Sequence, residues 1–306
     1  MHGRRLLGLV YAYVGLTFAG TWACWGLSAL LGQVAAPGPS APADGGFGLA
    51  GLLGTLAGAL QVMGTLAPAV AVYALFPCVR ALGLAGEAGD GDDPRAGFWA
   101  FAFGARPRPG GWLFFVALAA WRWAMFRVAL GFPETPGAAL GHFVATLPAL
   151  LLGGGLEEIG WRGLLQPALA RLLEGRGAGR GRRVGAALLA PLVVGVIWAF
   201  WHLPLFSMAG TYQHGLAFLP FAGIAVALSY ALGALRALTG GPLASILGHA
   251  WYNAMLVAPL TPLMADAAGG PLAGQAALFG ALFAAEALVC AAILAVRAGW
   301  STKVST

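Results

Sequence analysis

The residues able to do chemistry fall into three groups. Glu157 and Glu158 stand ahead of Arg162 as Glu-Glu-x-x-x-Arg, inside the apolar stretch Leu150 to Ala170 (LLLGGGLEEIGWRGLLQPALA). Trp198-Ala199-Phe200-Trp201-His202 forms the second group and His249-Ala250-Trp251-Tyr252-Asn253 the third. Ionisable side chains in hydrocarbon are expensive and mark functional sites. A carboxylate and an imidazole can share the orientation and deprotonation of a water. Amide and imidazole N–H donors can hold the oxyanion that forms when water attacks a peptide carbonyl. The residues therefore point to hydrolysis, with Glu157 and His202 acting on the water and His249 and Asn253 on the oxyanion.

Helix geometry separates the two carboxylates. Glu158 and Arg162 are four residues apart with the acid N-terminal, the favourable order for a pair on one face. Glu157 points about 100° away. Glu158 is thus expected to be neutralised by Arg162 as a structural support, leaving Glu157 to face a cavity as a general base. The competing reading is a salt-bridge cluster that locks helices together; it accounts for Glu158 and Arg162 but not for Glu157. Taken alone, His202 reads as a packing or interfacial histidine. His249 and Asn253 share a helix face and could equally bond between helices. Three polar clusters in three separate apolar stretches favour chemistry.

The elements that must position these groups are membrane helices. Of 306 residues, 59% are hydrophobic and 9% charged, and the mean hydropathy is +0.80, against about 25% charged residues in soluble domains. About eight apolar runs of about 20 residues are present: Leu6 to Leu31, Leu49 to Phe76, Trp112 to Gly131, Leu140 to Leu165, Gly185 to Phe206, Leu216 to Leu238, Leu243 to Leu260 and Ala273 to Val296. The expected architecture is an all-α polytopic membrane protein with its site inside the helix bundle. It divides into helices one to three with their loops (1–139), a core of helices four to seven (140–260), and helix eight with a tail (261–306).

Arginine and lysine gather on alternate loops. They precede run one (Arg4, Arg5), lie between runs two and three (Arg80, Arg95, Arg106, Arg108), follow run four (Arg171 to Arg183), end run six (Arg236) and follow run eight (Arg297, Lys303). By the positive-inside rule both termini are expected to be cytoplasmic. The net charge of +6 is then topogenic and calls for no nucleic acid. The first run is too long for a signal-peptide core of about 7 to 15 residues and is expected to be a retained anchor. Cys24, Cys78 and Cys290 show no metal or disulfide spacing.

Other features remain open. The stretch Gln33 to Gly46 is a flexible connector by composition. Phe98 to Phe103, downstream of Asp90, Asp92, Asp93 and Arg95, is either an ordinary connector or a short interfacial helix. Arg122, Arg127 and Glu286 lie within runs, with Arg122 and Glu286 a candidate bridge despite unequal depths. Depth is also a test of the site. At about 1.5 Å per residue, Glu157 lies about 21 Å from Arg171 and His202 about 25 Å from Gly185, but His249 only about 10 Å from Pro242. A kink at Pro167 or Pro191, or protrusion of runs four and five into the cytoplasm, is needed to bring them level.

The motif series, in this order and on separate runs, resembles the CPBP family of intramembrane proteases. That family includes the type II CAAX prenyl proteases and relatives linked to bacteriocin self-immunity. The resemblance covers Leu140 to Pro259 and implies the catalytic set Glu157, His202, His249 and Asn253, with Glu158 and Arg162 as supports. One departure is Trp198, where the family commonly has Phe, which predicts a changed cavity shape. Two mechanisms stay open: a metal-independent glutamate-activated water requiring no cofactor, which the residue inventory slightly favours, or a zinc site formed by Glu157, His202 and His249. The implied partners are the lipid bilayer and a membrane-associated or prenylated protein or peptide. The Arg-rich, Ala/Gly-rich composition suggests a bacterial plasma membrane. The alternatives are a noncatalytic bacteriocin-immunity or membrane scaffold protein and a proton-relay transporter, although no internal repeat supports the latter.

Overall fold

The computed structural model describes residues 2–35, 49–85, 97–106, 108–130, 135–256 and 273–300, and no strand occurs among them. Most of the Gln33 to Gly46 connector, the cluster Asp90, Asp92, Asp93 and Arg95, and Lys303 lie outside the described residues. The helices are α1 (His2–Ala35), α2 (Leu49–Ala81), α3 (Phe98–Ala102), α4 (Pro109–Leu130), α5 (Pro136–Leu152), α6 (Gln166–Glu174), α7 (Arg180–Trp201), α8 (Phe218–Thr239), α9 (Leu243–Leu256) and α10 (Ala273–Trp300). Helices are what hydrocarbon permits, because each spanning segment must satisfy its own backbone polar groups.

Six helices, α1, α2, α4, α7, α8 and α10, are long and apolar enough to cross a membrane. The pair Pro136–Leu152 and Gly155–Glu174, bent by 50°, makes a seventh candidate. With α9, at 14 residues, each apolar run read from the sequence has a helical counterpart. Outward side chains such as Leu113, Val128 and Leu288 are exposed and form the apolar surface that a bilayer would cover. The chain is an integral membrane protein.

Hydrogen bonds set α1 against α2 as an antiparallel hairpin. Thr21 Oγ1 donates to Gly64 O (2.8 Å), Trp25 Nε1 to Gln61 O (2.9 Å) and Ser28 Oγ to Ala57 O (2.7 Å). A Cβ on Gly64 would collide with the Trp25 indole, so glycine there makes room for the aromatic ring. Between α7 and α8, a Cβ on Gly195 would come within 2.8 Å of Val226 Cα. A small residue at the crossing permits that close approach, and Ser229 Oγ donates across it to Pro191 O (2.7 Å).

One open alternative is resolved and one expectation changes. Phe98 to Phe103 is largely helical: α3 buries Phe98 against Tyr73 and Phe76, with ring centroids at 5.0 and 5.3 Å, and leaves Trp99 exposed. The fourth apolar run is not one regular helix. α5 ends at Gly153, a 3-10 turn covers Gly155–Glu157, a π-helix covers Ile159–Leu165, and α6 follows. The π turn ends with the Gln166 N–H donating to Trp161 O. That wider turn precedes Pro167, which lacks an N–H and would crowd the carbonyl four residues back in an α-helix. The 50° bend thus falls at Gly153 and Gly154, upstream of both prolines from which a kink was expected.

Candidate active site

The bend delivers both carboxylates to the centre of the bundle. Glu157, which closes the 3-10 turn, is 3% exposed. Its Oε2 accepts from Trp198 Nε1 of α7 at 2.8 Å and from Trp161 Nε1 at 3.3 Å. Glu158 is fully buried, and its Oε1 accepts from Arg162 Nη1 at 3.1 Å. The same oxygen lies 3.0 Å from His249 Nδ1. A carboxylate can only accept, so Nδ1 carries the proton and Nε2 is the other face of the ring. Glu158 Oε2 and Arg162 Nε and Nη2 are buried without a hydrogen-bond partner among the described residues. Arg162 therefore depends on a single carboxylate oxygen and on the Trp198 ring, 5.1 Å from its Cζ.

His202 caps the end of α7, and its Nδ1 lies 2.8 Å from Trp198 O. A backbone carbonyl cannot donate, so this Nδ1 also bears the proton, and in the neutral ring Nε2 holds the lone pair. α1 fixes the helix end: Trp22 Nε1 donates to Trp201 O (3.0 Å), and Trp201 Nε1 donates to Thr21 Oγ1 (2.8 Å). His202 and His249 both set their rings against Trp198, at centroid distances of 5.5 and 5.2 Å.

Asn253 reaches the bend, where Nδ2 donates to Gly153 O at 3.3 Å. Gly154 has φ +153° and ψ −39°, in a region that favours glycine. A Cβ there would lie 2.5 Å from Asn253 Nδ2 and 3.0 Å from His249 Nε2. Both nitrogens therefore converge on the same stretch of backbone.

These groups share a cavity of about 660 Å³. Glu157, His202, His249 and Asn253 line it together with apolar side chains that include Leu150, Phe221, Ile224 and Leu228, and with Thr211 and Gln213 from the loop after α7. Glu158 and Arg162 are not part of its wall. All six residues singled out from the sequence thus meet here. Glu157, His202, His249 and Asn253 line one cavity despite the unequal distances counted along their helices. His142 and His214 do not line the cavity.

Sequence reasoning missed three contributors. Trp161 donates to Glu157 from four residues on, a spacing that was readable. Trp198 was expected to alter cavity shape alone, yet its indole N–H donates to Glu157, a bond that Phe cannot make. Gly154 was signalled only by the glycine triplet ahead of the carboxylates. As for zinc, among the described residues no three His, Cys, Asp or Glu side chains are grouped so as to hold a metal ion. The residues as placed do not fit the zinc set, and no step below passes through a metal.

Residues 139–255 match a family model described as type II CAAX prenyl endopeptidase, Rce1-like. The matched segment runs from α5 to near the end of α9 and contains all six residues. No curated protein matches the chain significantly.

Proposed function

Because the chain belongs, through residues 139–255, to the Rce1-like family of CAAX-type membrane endopeptidases, we propose that it hydrolyses a peptide bond of a membrane-associated substrate by a metal-independent, glutamate-activated water. Oε2 of Glu157 is held by two indoles, which leaves Oε1 for the water. His202, with Nδ1–H on a backbone carbonyl, offers its Nε2 lone pair to the same water. Attack on the scissile carbonyl places negative charge on its oxygen. Asn253 Nδ2–H donates to that oxygen, as does Nε2–H of a His249 imidazolium paired with Glu158. Fixed donors aimed at developing charge in a site closed to water are the main source of rate in such chemistry. The proton taken from the water then passes to the leaving amine. Glu158 and Arg162 hold His249 from behind.

The observation that carries this reading is the division of labour at one wall. Glu157, His202, His249 and Asn253, from three parts of the chain, face a single largely apolar cavity, while Glu158 and Arg162 close on each other outside it. The apolar lining suits a peptide with hydrophobic side chains or a lipid modification near its C-terminus. We place the protein in a bacterial plasma membrane with both termini cytoplasmic, on the arginine distribution and composition. The test is a comparison of peptide termini in host membranes carrying wild-type protein or Glu157→Ala at matched levels. Termini that depend on Glu157 support the reading and reveal the substrate. Identical termini overturn it and favour a noncatalytic immunity or scaffold role.

A further inference from the structure

Arg122 of α4 and Glu286 of α10 form a second buried ion pair that does not itself line the cavity, although Arg122 touches Tyr252, which does, and both residues fall outside the family-matched segment. Nη2 lies 2.7 Å from Oε1, and Nε lies 3.3 Å from both carboxylate oxygens. The side chains are 1% and 3% exposed. Replacing a buried ion pair with apolar residues of similar volume is often neutral or stabilising. In a membrane interior a retained pair marks function more than strength.

The other contacts of this guanidinium fall on α9. Arg122 Nη1 donates to Gly248 O at 3.4 Å, and its Cζ lies 5.4 Å from the centroid of the Tyr252 ring. Gly248 immediately precedes His249, and Tyr252 immediately precedes Asn253. One cation therefore grips α9 at two points a turn apart, each next to a residue of the proposed oxyanion site. Rotation matters here because each residue turns the helix by about 100°, so a modest twist carries both donors away from the cavity. α9 is also tied to α8 by Ser245 Oγ donating to Leu232 O (2.8 Å) and to α4 by Trp251 Nε1 donating to Ala119 O (3.1 Å), but the Arg122 contacts are the ones that fall immediately before both His249 and Asn253.

We propose that Arg122 and Glu286 are positioning residues that set the rotation of α9 and so aim His249 and Asn253 at the substrate carbonyl, an inference that rests on the oxyanion role given above. The experiment compares wild-type protein with the Arg122→Leu/Glu286→Leu double variant and with Arg122→Lys. Each is purified in detergent with nitrogen-15-labelled histidine. The His249 Nδ1–H resonance, identified by its loss in His249→Gln, reports the bond to Glu158 without any substrate. The same variants are scored for Glu157-dependent termini in matched membranes.

The double variant is expected to keep its melting midpoint, to shift or broaden the His249 signal, and to lose about a hundredfold in terminus production, the scale of a 1 Å misplacement. Arg122→Lys keeps the charge without the fork and is expected to fall between the two. A double variant that folds and retains both the signal and the termini overturns the proposal. If the double variant does not accumulate, an unchanged His249 signal in Arg122→Lys overturns it. A displaced signal in a protein whose wild type makes no Glu157-dependent termini supports the positioning role and refutes the protease reading instead.

Discussion

Gly154→Ala tests the geometry of the site without replacing any residue assigned to chemistry. At φ +153° an alanine is strained wherever its side chain points, at a cost of about 1–3 kcal/mol. Its Cβ would also sit 2.5 Å from Asn253 Nδ2, so the amide must retreat by about 0.9 Å to reach an ordinary contact near 3.4 Å. His249 Nε2, at 3.0 Å, must give way as well. The bond from Asn253 Nδ2 to Gly153 O is already 3.3 Å long and would be lost in that movement. Displacing oxyanion donors by about 1 Å costs on the order of a hundredfold in rate, equivalent to about 2.7 kcal/mol of transition-state stabilisation. The assay is the yield of Glu157-dependent termini in membranes at equal protein level, with Gly141→Ala as control. Gly141 lies in α5 with nothing within 4 Å of its Cβ position, and that substitution should be neutral or mildly stabilising. Cleavage by Gly154→Ala at the level of the control would refute the placement of Asn253 and His249 at the reacting carbonyl.

Trp198→Phe keeps the rings against His202 and His249 but removes the 2.8 Å bond to Glu157. A hydrogen bond to a charged group contributes about 1.5–3 kcal/mol, so turnover should drop by at least about tenfold with abundance unchanged; equal turnover would show that Glu157 needs no such support. Glu158→Ala strips Arg162 of its carboxylate and His249 of its acceptor, and an uncompensated buried charge costs about 3–5 kcal/mol. Thermal unfolding in detergent should show a clear loss of stability and membranes a lower abundance, whereas a wild-type midpoint would contradict the pairing. Treatment with a zinc chelator should leave Glu157-dependent cleavage intact; loss of cleavage restored by added zinc would revive the metal mechanism.

The helical membrane architecture was legible because it depends on quantities summed along the chain. Runs of apolar residues and alternate clusters of arginine report the cost of moving side chains and charges into hydrocarbon, and that cost needs no knowledge of neighbours. The pairing of Glu158 with Arg162 was also legible, since a four-residue spacing is local. The way the segment achieves it was not. The α-helix assumed for the fourth run is replaced by a 3-10 turn and a π turn, both still keeping Glu157 and Glu158 on different sides. The glycine triplet and Pro167 hinted at irregularity without stating its form.

Composition and spacing alone thus determined a polytopic helical protein and nominated six residues, Glu157, Glu158, Arg162, His202, His249 and Asn253. Only the tertiary structure decided who meets whom: Trp198 on Glu157, His249 sharing Glu158 with Arg162, Asn253 against the Gly153 carbonyl, and Arg122 on the backbone of α9. Each of these contacts joins residues far apart in sequence. Their distance depends on how helices cross and where one breaks, and those outcomes are set by close packing of side chains from several helices at once.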